Sequence, residues 1–236
     1  MNIAIVCAAG SGKRLGKNMP KALVPVAGVP MFIYSLKVMA SSTEINGILL
    51  VVPRGYQDDF ERSINKYISA RARKKIIGII FGGAERQDSI KHGLDHLLGL
   101  GISEDAPVLV HNAANIFLNN IEISRVLKVI RSGRGSAVAL PSTDTLRELD
   151  SGMRPMRQLK REVVWRMQTP QGASLGVLAR AYQAAHRAGH YGTDDVELLR
   201  RIKHDIVVVR GSALNFKITY PEDLLIAEAI IKYRKK

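Results

Sequence analysis

A glycine-rich turn at residues 8–12 is the part of the sequence best suited to chemistry. Small side chains let the backbone pass close to a ligand, and successive N–H groups can bind phosphate oxygens. These residues are Ala8, Ala9, Gly10, Ser11 and Gly12. Arg14 and Lys21 follow, and their charge can stabilise a reacting nucleoside triphosphate. The spacing of a P-loop is absent, and such a turn can also be purely structural.

A second loop, at residues 82–89, has the composition of a nucleotide-binding segment. It contains the pair Gly82 and Gly83, followed by Arg86 and Ser89. In this interpretation the glycines and Ser89 hold a base, and Arg86 lies near the phosphates. A structural alternative stays open, because Ser89 or the neighbouring Asp88 can simply cap the helix that follows.

A third loop ends the fourth predicted strand with His111, Asn112 and Ala113. A lone histidine in such a place is structural more often than catalytic. No Ser–His–Asp or Cys–His arrangement accompanies it, and Cys7 lies inside a predicted buried strand. These residues therefore give no sign of a protein nucleophile.

Three later segments carry further polar candidates. They are Thr169-Pro170-Gln171, Gly192-Thr193-Asp194-Asp195 and Asn215-Phe216-Lys217. Asp194 with Glu197 has the pattern of a helix N-cap. Lys217 alone also fits a solvated charge at a strand end. Each segment is a weak signal by itself, whereas their order along the chain is informative.

The elements that must position these loops alternate along the chain. Short runs rich in Val and Ile predict buried strands over 3–8, 47–52, 76–81, 108–111 and 206–209. Helical spacing occurs over 30–41, 56–70, 86–99, 174–188, 195–203 and 221–233. This alternation predicts an α/β fold with a largely parallel sheet covered on both faces. Ligands bind such sheets at the carboxyl ends of the strands, where all three loops lie.

Residues 141–160 interrupt the alternation. Thr145, Arg147 and Leu149 stand at every second position, as on one face of a strand, and an Asp-Ser-Gly turn follows them. This pattern predicts a protruding hairpin. The sequence contains no internal repeat and no clear linker. Residues 1–236 are therefore predicted to form a single domain with this excursion.

Charge and cysteine content narrow the class of protein. Lys and Arg number 35 against 21 Asp and Glu, a formal net charge of +14 that attracts polyanions. Aromatic residues make up 6% of the chain and are not interleaved with the basic clusters, so nucleic acid is not an expected partner. No apolar run is long enough to span a membrane, and the single Cys7 fits a reducing cytoplasm.

The ordered set of motifs closely resembles the 2-C-methyl-D-erythritol 4-phosphate cytidylyltransferases, a family of the non-mevalonate isoprenoid pathway. The resemblance covers nearly the whole chain. Its motifs are AAGxGxRxG…PK at 8–21, GGxxRxxS at 82–89, VHxAA at 110–114, DT at 144–145, WxxxTPQ at 165–171, TDD at 193–195 and NxKxTxPEDL at 215–224.

The resemblance implies a Rossmann-like nucleotidyltransferase with a mostly parallel central sheet and a protruding β-arm at about 140–162 that joins a homodimer. It implies cytidylyl transfer from CTP to methylerythritol phosphate, with release of pyrophosphate. The implied nucleotide-binding residues are Ala8, Ala9, Gly10, Ser11, Gly12, Gly82, Gly83, Arg86, Ser89, Asn112 and Ala113. The implied residues for the second substrate are Thr145, Arg161, Thr169, Thr193 and Lys217. The implied catalytic residues are Arg14, Lys21, Arg161 and Lys217.

Several positions depart from the family's usual pattern. Asn112 replaces an aspartate expected beside the metal-bound triphosphate, and Asn115 replaces an arginine. Leu214, Ala84 and Ala22 also differ from the usual residues. Because asparagine brings no negative charge, Mg²⁺ is expected to be held mainly by the CTP phosphates and water. The protein ligands of the metal are left open.

Two alternatives accompany the main interpretation. The chain could act on another alditol phosphate such as ribitol 5-phosphate, which the changes at Asn112 and Asn115 would permit. It could instead be a catalytically silent nucleotide-binding relative, which the missing carboxylates suggest. The resemblance at Arg161 and Lys217 favours methylerythritol phosphate.

Overall fold

Strands and helices alternate over most of the chain, which a computed structural model describes for residues 1–234 and, at Lys13, for the backbone only. The strands are β1 (Ile3–Cys7), β2 (Pro25–Val26), β3 (Val29–Pro30), β4 (Gly47–Val52), β5 (Ile76–Phe81), β6 (Pro107–Asn112), β7 (Gly135–Pro141), β8 (Arg147–Leu149), β9 (Pro155–Gln158), β10 (Trp165–Ser174) and β11 (Ile206–Arg210). The helices are α1 (Met31–Ser41), α2 (Gln57–Tyr67), α3 (Ala70–Arg73), α4 (Arg86–Gly99), α5 (Asn120–Ile130), α6 (Leu175–Arg187), α7 (Asp195–Arg201) and α8 (Pro221–Arg234).

The predicted strands and helices are confirmed to within a few residues, with one exception. The helix predicted over 56–70 ends at Tyr67, and the Ser69 side chain, which accepts a hydrogen bond from Ala72 N, begins the separate short helix α3.

Seven strands form one sheet in the order β11-β7-β10-β6-β1-β4-β5. β10 runs antiparallel to both of its neighbours, and the remaining pairs are parallel. The predicted α/β fold with a mostly parallel sheet is therefore confirmed. The register pairs Cys7 with Val51 and with Asn112, and Val52 with Phe81. The carboxyl ends of β1, β4, β5 and β6 thus share one edge, where the three candidate loops meet.

Helices cover both faces of the sheet. On one face, Val6, Leu50 and Leu109 pack in a core to which α1, α2 and α5 contribute apolar side chains. On the other, Ile5 and Val51 pack with apolar residues of α4, α6 and α7. Successive strand residues alternate between these cores because side chains of a strand point to opposite faces. The rigid layers fix where each strand ends, and so where each candidate loop begins.

Sequence patterns did not predict α5, β7 or β10. β10 is rich in polar and small residues, and half of it is buried because β6 and β7 flank it and α5, α6 and α7 pack against it. Gly172 shows how close these strands lie, because a Cβ at that position would collide with the Val108 carbonyl oxygen. The place of β10 is therefore decided by its neighbours.

A two-stranded hairpin of β8 and β9 lies between β7 and β10. It matches the predicted excursion at 141–160. All of its strand residues are exposed, and Asp150 Oδ1 closes the turn by accepting from Gly152 N and Arg154 N. The large apolar side chains of Leu149, Met153 and Met156 are also exposed. We call residues 142–164 the arm.

Candidate active site

A cleft of about 510 Å³ opens at the carboxyl edge of the sheet, where the loops after β1, β5 and β6 meet. Its volume is in the range of small-molecule sites. The lining residues are Cys7, Ala8, Ala9, Gly10, Ser11, Gly12, Arg14, Lys21, Ala22, Gly83, Ala84, Glu85, Arg86, Ser89, Asn112, Ala113, Ala114, Lys217 and Thr219. Every residue predicted for the nucleotide lines this cleft except Gly82. We call it the first cleft.

The glycine turn after β1 presents its backbone to the first cleft. Gly12 has φ +69°, and a Cβ there would lie 2.8 Å from the Cβ of Lys21. Lys21 N donates to Gly10 O at 3.1 Å, which closes the loop. Among the described residues, the N–H groups of Gly10, Ser11 and Gly12 find no intramolecular acceptor. These donors are therefore free to bind phosphate oxygens.

Arg14, Lys21, Arg86 and Lys217 bring positive charge to the first cleft. Burial, followed by the charges of Lys217 and Arg14, lowers the pKa of Lys21 to about 8 from its usual 10.5. Burial and the charges of Arg86 and Arg14 also lower the pKa of Lys217. Burial and the neighbouring cations disfavour the charged form of both ammonium groups. An anionic ligand would offset this charge, so its binding there would be strongly favoured.

The loop after β5 packs directly against the glycine turn. A Cβ on Gly82 would lie 2.5 Å from Ala9 Cβ and 2.6 Å from Ser89 Oγ. Gly82 thus lets the two loops approach, although it does not line the cleft. Ser89 Oγ accepts from Gly83 N at 3.1 Å and donates to Glu85 O at 3.0 Å. Glu85 caps α4 in a capping box with Asp88, so the capping alternative applies to Asp88 rather than to Ser89.

Arg86 joins the first cleft to the interior. Its guanidinium donates to Asp195 Oδ2 at 2.7 Å and to Asn112 Oδ1 at 3.0 Å. Asp195 is fully buried and also accepts from the Tyr182 hydroxyl. Although burial opposes the charge of Arg86, the Asp195 carboxylate raises its pKa above the usual value. The guanidinium is therefore held in one place as a permanent cation.

His111 and Thr169 form a buried pair behind the third loop. The carbonyl of Asn115 accepts from His111 Nε2 at 3.1 Å, so Nδ1 carries no proton and accepts from the Thr169 hydroxyl at 3.0 Å. Thr169 Oγ1 also accepts from Asn112 N at 3.2 Å. Burial lowers the pKa of His111 to about 3. The ring is neutral at physiological pH, which favours the structural role predicted for it.

A second cleft of about 430 Å³ adjoins the first. The two share Arg86, Asn112 and Lys217. The other lining residues of the second cleft are Asn115, Leu140, Arg166, Met167, Gln168, Thr169, Gln171, Thr193, Asp194, Ala213 and Phe216. Three of the residues predicted for the second substrate, Thr169, Thr193 and Lys217, thus lie together. The hydroxyl proton of Thr169 is committed to His111, so a ligand can reach only its remaining lone pair.

Thr145 and Arg161 lie outside both clefts. They belong to the arm, beside a separate surface hollow that Gln158, Lys160 and Glu162 help to line. Both side chains are exposed. Within one chain, the structure does not bring these two predicted residues together with Lys217.

A buried polar network supports the segment that carries Lys217. Asn215 Nδ2 donates to Thr169 O at 2.8 Å and to Glu122 Oε2 at 3.1 Å. Asn115 Nδ2 donates to Asn215 O at 2.9 Å. Glu122 Oε1 accepts from Ser212 N at 2.8 Å. Asn115, which stands where an arginine is expected, is buried, and its side-chain amide anchors this segment.

Helix α7 begins as predicted. Asp194 Oδ1 accepts from Glu197 N at 2.9 Å, which confirms the N-cap. Gln171 Nε2 donates to Asp194 Oδ2, and Gln171 Oε1 accepts from Asp195 N. The TPQ segment therefore positions the start of α7 in addition to lining the second cleft.

Several lining residues were not predicted. Glu85 and Thr219 stand inside motifs already quoted, so their positions in those motifs were a usable signal. Arg166 lies one residue after Trp165, with no pattern that distinguishes it from the other arginines. Its place on the second cleft follows from the pairing of β10 with β7.

Residues 1–234 contain no cluster of three or more His, Cys, Asp or Glu side chains able to hold a metal ion. None of the helices in this part of the chain combines the length and apolar character required to cross a bilayer.

Known proteins match this chain over nearly its whole length. The family model for 2-C-methyl-D-erythritol 4-phosphate cytidylyltransferase matches residues 2–233. The enzyme of that name from Bacillus cytotoxicus is 35% identical over 236 residues, 100% of both chains. The one from Syntrophus aciditrophicus is 35% identical and covers 98% of this chain and 95% of its own.

Solved structures of enzymes with related names share the fold of this chain. The 4-diphosphocytidyl-2C-methyl-D-erythritol synthase of Anaerococcus prevotii superposes with a TM-score of 0.83 at 26% identity, covering 98% of this chain and 96% of its own. The 2-C-methyl-D-erythritol 4-phosphate cytidylyltransferase of Thermus thermophilus superposes with a TM-score of 0.76 at 29% identity, covering 98% and 100%.

Proposed function

This chain belongs to the 2-C-methyl-D-erythritol 4-phosphate cytidylyltransferase family, and from that premise we propose how its own residues transfer a cytidylyl group from CTP to methylerythritol phosphate. The observation that carries the proposal is the pair of clefts that share Lys217 and Arg86. A triphosphate in the first cleft and a phosphate in the second would meet at these cations.

The reaction needs no protein nucleophile. An oxygen of the methylerythritol phosphate attacks the α-phosphorus of CTP, the bond to the bridging oxygen breaks, and pyrophosphate leaves. The chain's contribution is to align the two phosphates and to stabilise the charge that develops between them. The neutral His111, committed to two hydrogen bonds, fits a mechanism without a strong base.

The nucleotide would lie in the first cleft. The free N–H groups of Gly10, Ser11 and Gly12 would bind its phosphates, with Arg14 and Lys21 over the α-phosphate and the leaving pyrophosphate. Gly83 and Ser89, from the adjoining loop after β5, would hold the base. Arg86 is fixed by Asp195 and would supply its charge without moving, which avoids reorganisation during the reaction.

The second substrate would lie in the second cleft, with Lys217 on its phosphate. Thr193 Oγ1 donates to Glu197 Oε2 at 3.2 Å, so its lone pairs suit a hydroxyl group of the polyol. Thr145 and Arg161 stand on the arm, outside this cleft. We infer that the arm of a second copy delivers them, which makes the functional unit a homodimer. The exposed apolar side chains of the arm support this assembly, because they need a partner to cover them.

Residues 1–234 contain no cluster of acidic, histidine or cysteine side chains that could hold a metal ion by itself. Asp195 is occupied by Arg86 and Tyr182, and Asn112 Oδ1 accepts from Arg86. We propose that Mg²⁺ accompanies CTP, bound by phosphate oxygens and water, as is common for this ion. The steps assigned above rest on the chain's own cations.

The decisive experiment measures pyrophosphate release from CTP against a panel of alditol phosphates, with and without Mg²⁺. We expect turnover with methylerythritol phosphate and little with ribitol 5-phosphate. A preference for ribitol 5-phosphate would support the alternative substrate. Absence of product with every acceptor, from a folded protein that binds CTP, would support a catalytically silent relative.

A further inference from the structure

Gln87 is a buried residue in the first turn of α4, and its side-chain amide reaches a segment far away in sequence. Its Oε1 accepts from Gly192 N at 2.8 Å, and its Nε2 donates to the His190 carbonyl at 2.9 Å. The side chain is 7% exposed. Both of its bonds go to the backbone of the segment between α6 and α7, residues 189–194, which we call the 190s loop.

The 190s loop carries Thr193 to the rim of the second cleft. It has no regular secondary structure between Arg187 and Asp195, so its shape depends on such bonds. Glu197 supports its far end by accepting from Thr193 N at 2.8 Å. Gln87 supports its near end, together with a weaker 3.4 Å bond from the exposed Tyr191 to Asp88.

We propose that Gln87 is a positioning residue for the second substrate: it holds the 190s loop so that Thr193 meets the polyol. The proposal rests on the proposed function. It assigns to a residue of the nucleotide-binding motif an effect on the other substrate. The proposed contacts of Gly83 and Ser89 with CTP should not depend on Gln87, because the Ser89 hydroxyl bonds Gly83 N and Glu85 O.

The test replaces Gln87 by methionine, which keeps the length and volume of the side chain and removes both hydrogen bonds. Steady-state kinetics are measured with CTP and methylerythritol phosphate varied in turn. Gln87→Met is expected to raise the KM for methylerythritol phosphate about tenfold, because two buried backbone groups lose their partner. The KM for CTP should stay within about twofold of wild type, since no residue of the 190s loop lines the first cleft, where CTP is proposed to bind.

Two further variants make the result specific. Gln87→Glu keeps the acceptor for Gly192 N and loses the donor to His190 O, so its KM should fall between wild type and Gln87→Met. Lys91→Met makes the same kind of change on α4, where the Lys91 ammonium donates to the Asp95 carboxylate, and should leave both KM values unchanged. If Gln87→Met is poorly folded, the Glu variant alone gives the direction of the effect.

An unchanged KM for methylerythritol phosphate in folded Gln87→Met would overturn the proposal. Equal increases in both KM values would also overturn it, because Gln87 would then support the motif as a whole. Failure of the proposed function looks different, since wild type would then make no product from methylerythritol phosphate.

Discussion

Lys21 shows how single residues of the first cleft work by charge. Its ammonium lies among other cations and is partly buried, and its pKa falls to about 8. Neighbouring groups that often act as acids or bases are unsuited to that role: His111 is neutral and engaged, and burial raises the pKa of Cys7. The first cleft therefore concentrates positive charge, which a bound triphosphate would neutralise.

Removing that charge should slow the chemistry. Lys21→Ala is expected to lower kcat by about 10²–10³, the usual cost of losing one preorganised stabilising group. The matched control is Lys17→Ala, on the same loop but exposed and outside the cleft lining, which should keep normal turnover. Near-normal rates for folded Lys21→Ala would remove Lys21 from the mechanism.

The lowered pKa of Lys21 predicts a pH dependence for nucleotide binding. In the free protein the pKa of Lys21 is about 8. CTP binds the protonated ammonium, so the affinity of the protein for CTP should not change with the protonation of Lys21 below that pH. Above pH 8 the free protein loses this proton, and the Kd should rise by up to about tenfold per pH unit. Calorimetric titrations between pH 7 and 9.5 measure this. Lys21→Arg, which stays charged, should bind with a flatter profile; identical profiles would contradict the assignment.

Asn112 gives a prediction about the metal. Asn112→Asp adds a negative charge beside the triphosphate, so the Mg²⁺ concentration for half-maximal rate should fall. Arg86 Nε, 3.0 Å from Asn112 Oδ1, will compete for that carboxylate and limit the gain. Rates across a Mg²⁺ titration of both proteins test this. An unchanged requirement would mean that position 112 is not near the metal.

At the scale of secondary structure, β10 connects the sheet to the second cleft. Its first half, which ends at Thr169, pairs with β7 at the carboxyl edge, and its second half, from Gln171 onward, lies between β6 and β7. Gly172 is the tightest point of this contact, because any side chain there meets the Val108 backbone. The position of Thr169 therefore depends on a glycine three residues away that touches no ligand.

Gly172→Ala is expected to destabilise the protein by about 2 kcal/mol or more, because the added methyl group must separate β10 from β6. The free energy of unfolding in urea measures this. Gly99→Ala is the control, because a Cβ at the end of α4 meets nothing within 4 Å, and it should cause no loss. Equal stability of Gly172→Ala and wild type would mean that the strands lie farther apart than described.

At the scale of the whole molecule, the proposed dimer explains why Arg161 and Lys217 lie apart in one chain. Each active site would combine Lys217 of one subunit with Arg161 of the partner subunit. The net charge of +14 would then serve to attract anionic substrates to both sites.

Mixing two inactive variants tests this arrangement. Arg161→Ala and Lys217→Ala should each be nearly inactive as homodimers. Co-refolded in equal amounts, they should recover about a quarter of wild-type activity, because half of the dimers are mixed and each mixed dimer has one intact site. Light scattering at micromolar concentration checks the assembly. A monomer, or no recovery from confirmed mixed dimers, would place Arg161 and Lys217 in independent roles.

Local order in the chain was enough to identify the family and most of the first cleft. Its motifs stand directly after β1, β5 and β6, and parallel strands of one sheet end at one edge, so neighbours in the motif order become neighbours in space. Residues such as Arg14, Lys21 and Ser89 could be placed for this reason. Gly82 was placed in the right loop, although it serves packing rather than the cleft surface.

Tertiary packing alone decided the remaining features. Arg86 pairs with Asp195, and Gln87 holds the 190s loop. β10 lies between β6 and β7 and runs antiparallel to both. Each of these joins segments far apart in sequence, and periodicity describes only how a segment presents its own faces. Which distant segment covers a face is settled by the packing of the whole core, and so the partners of Arg86 and Gln87 become visible only in the folded chain.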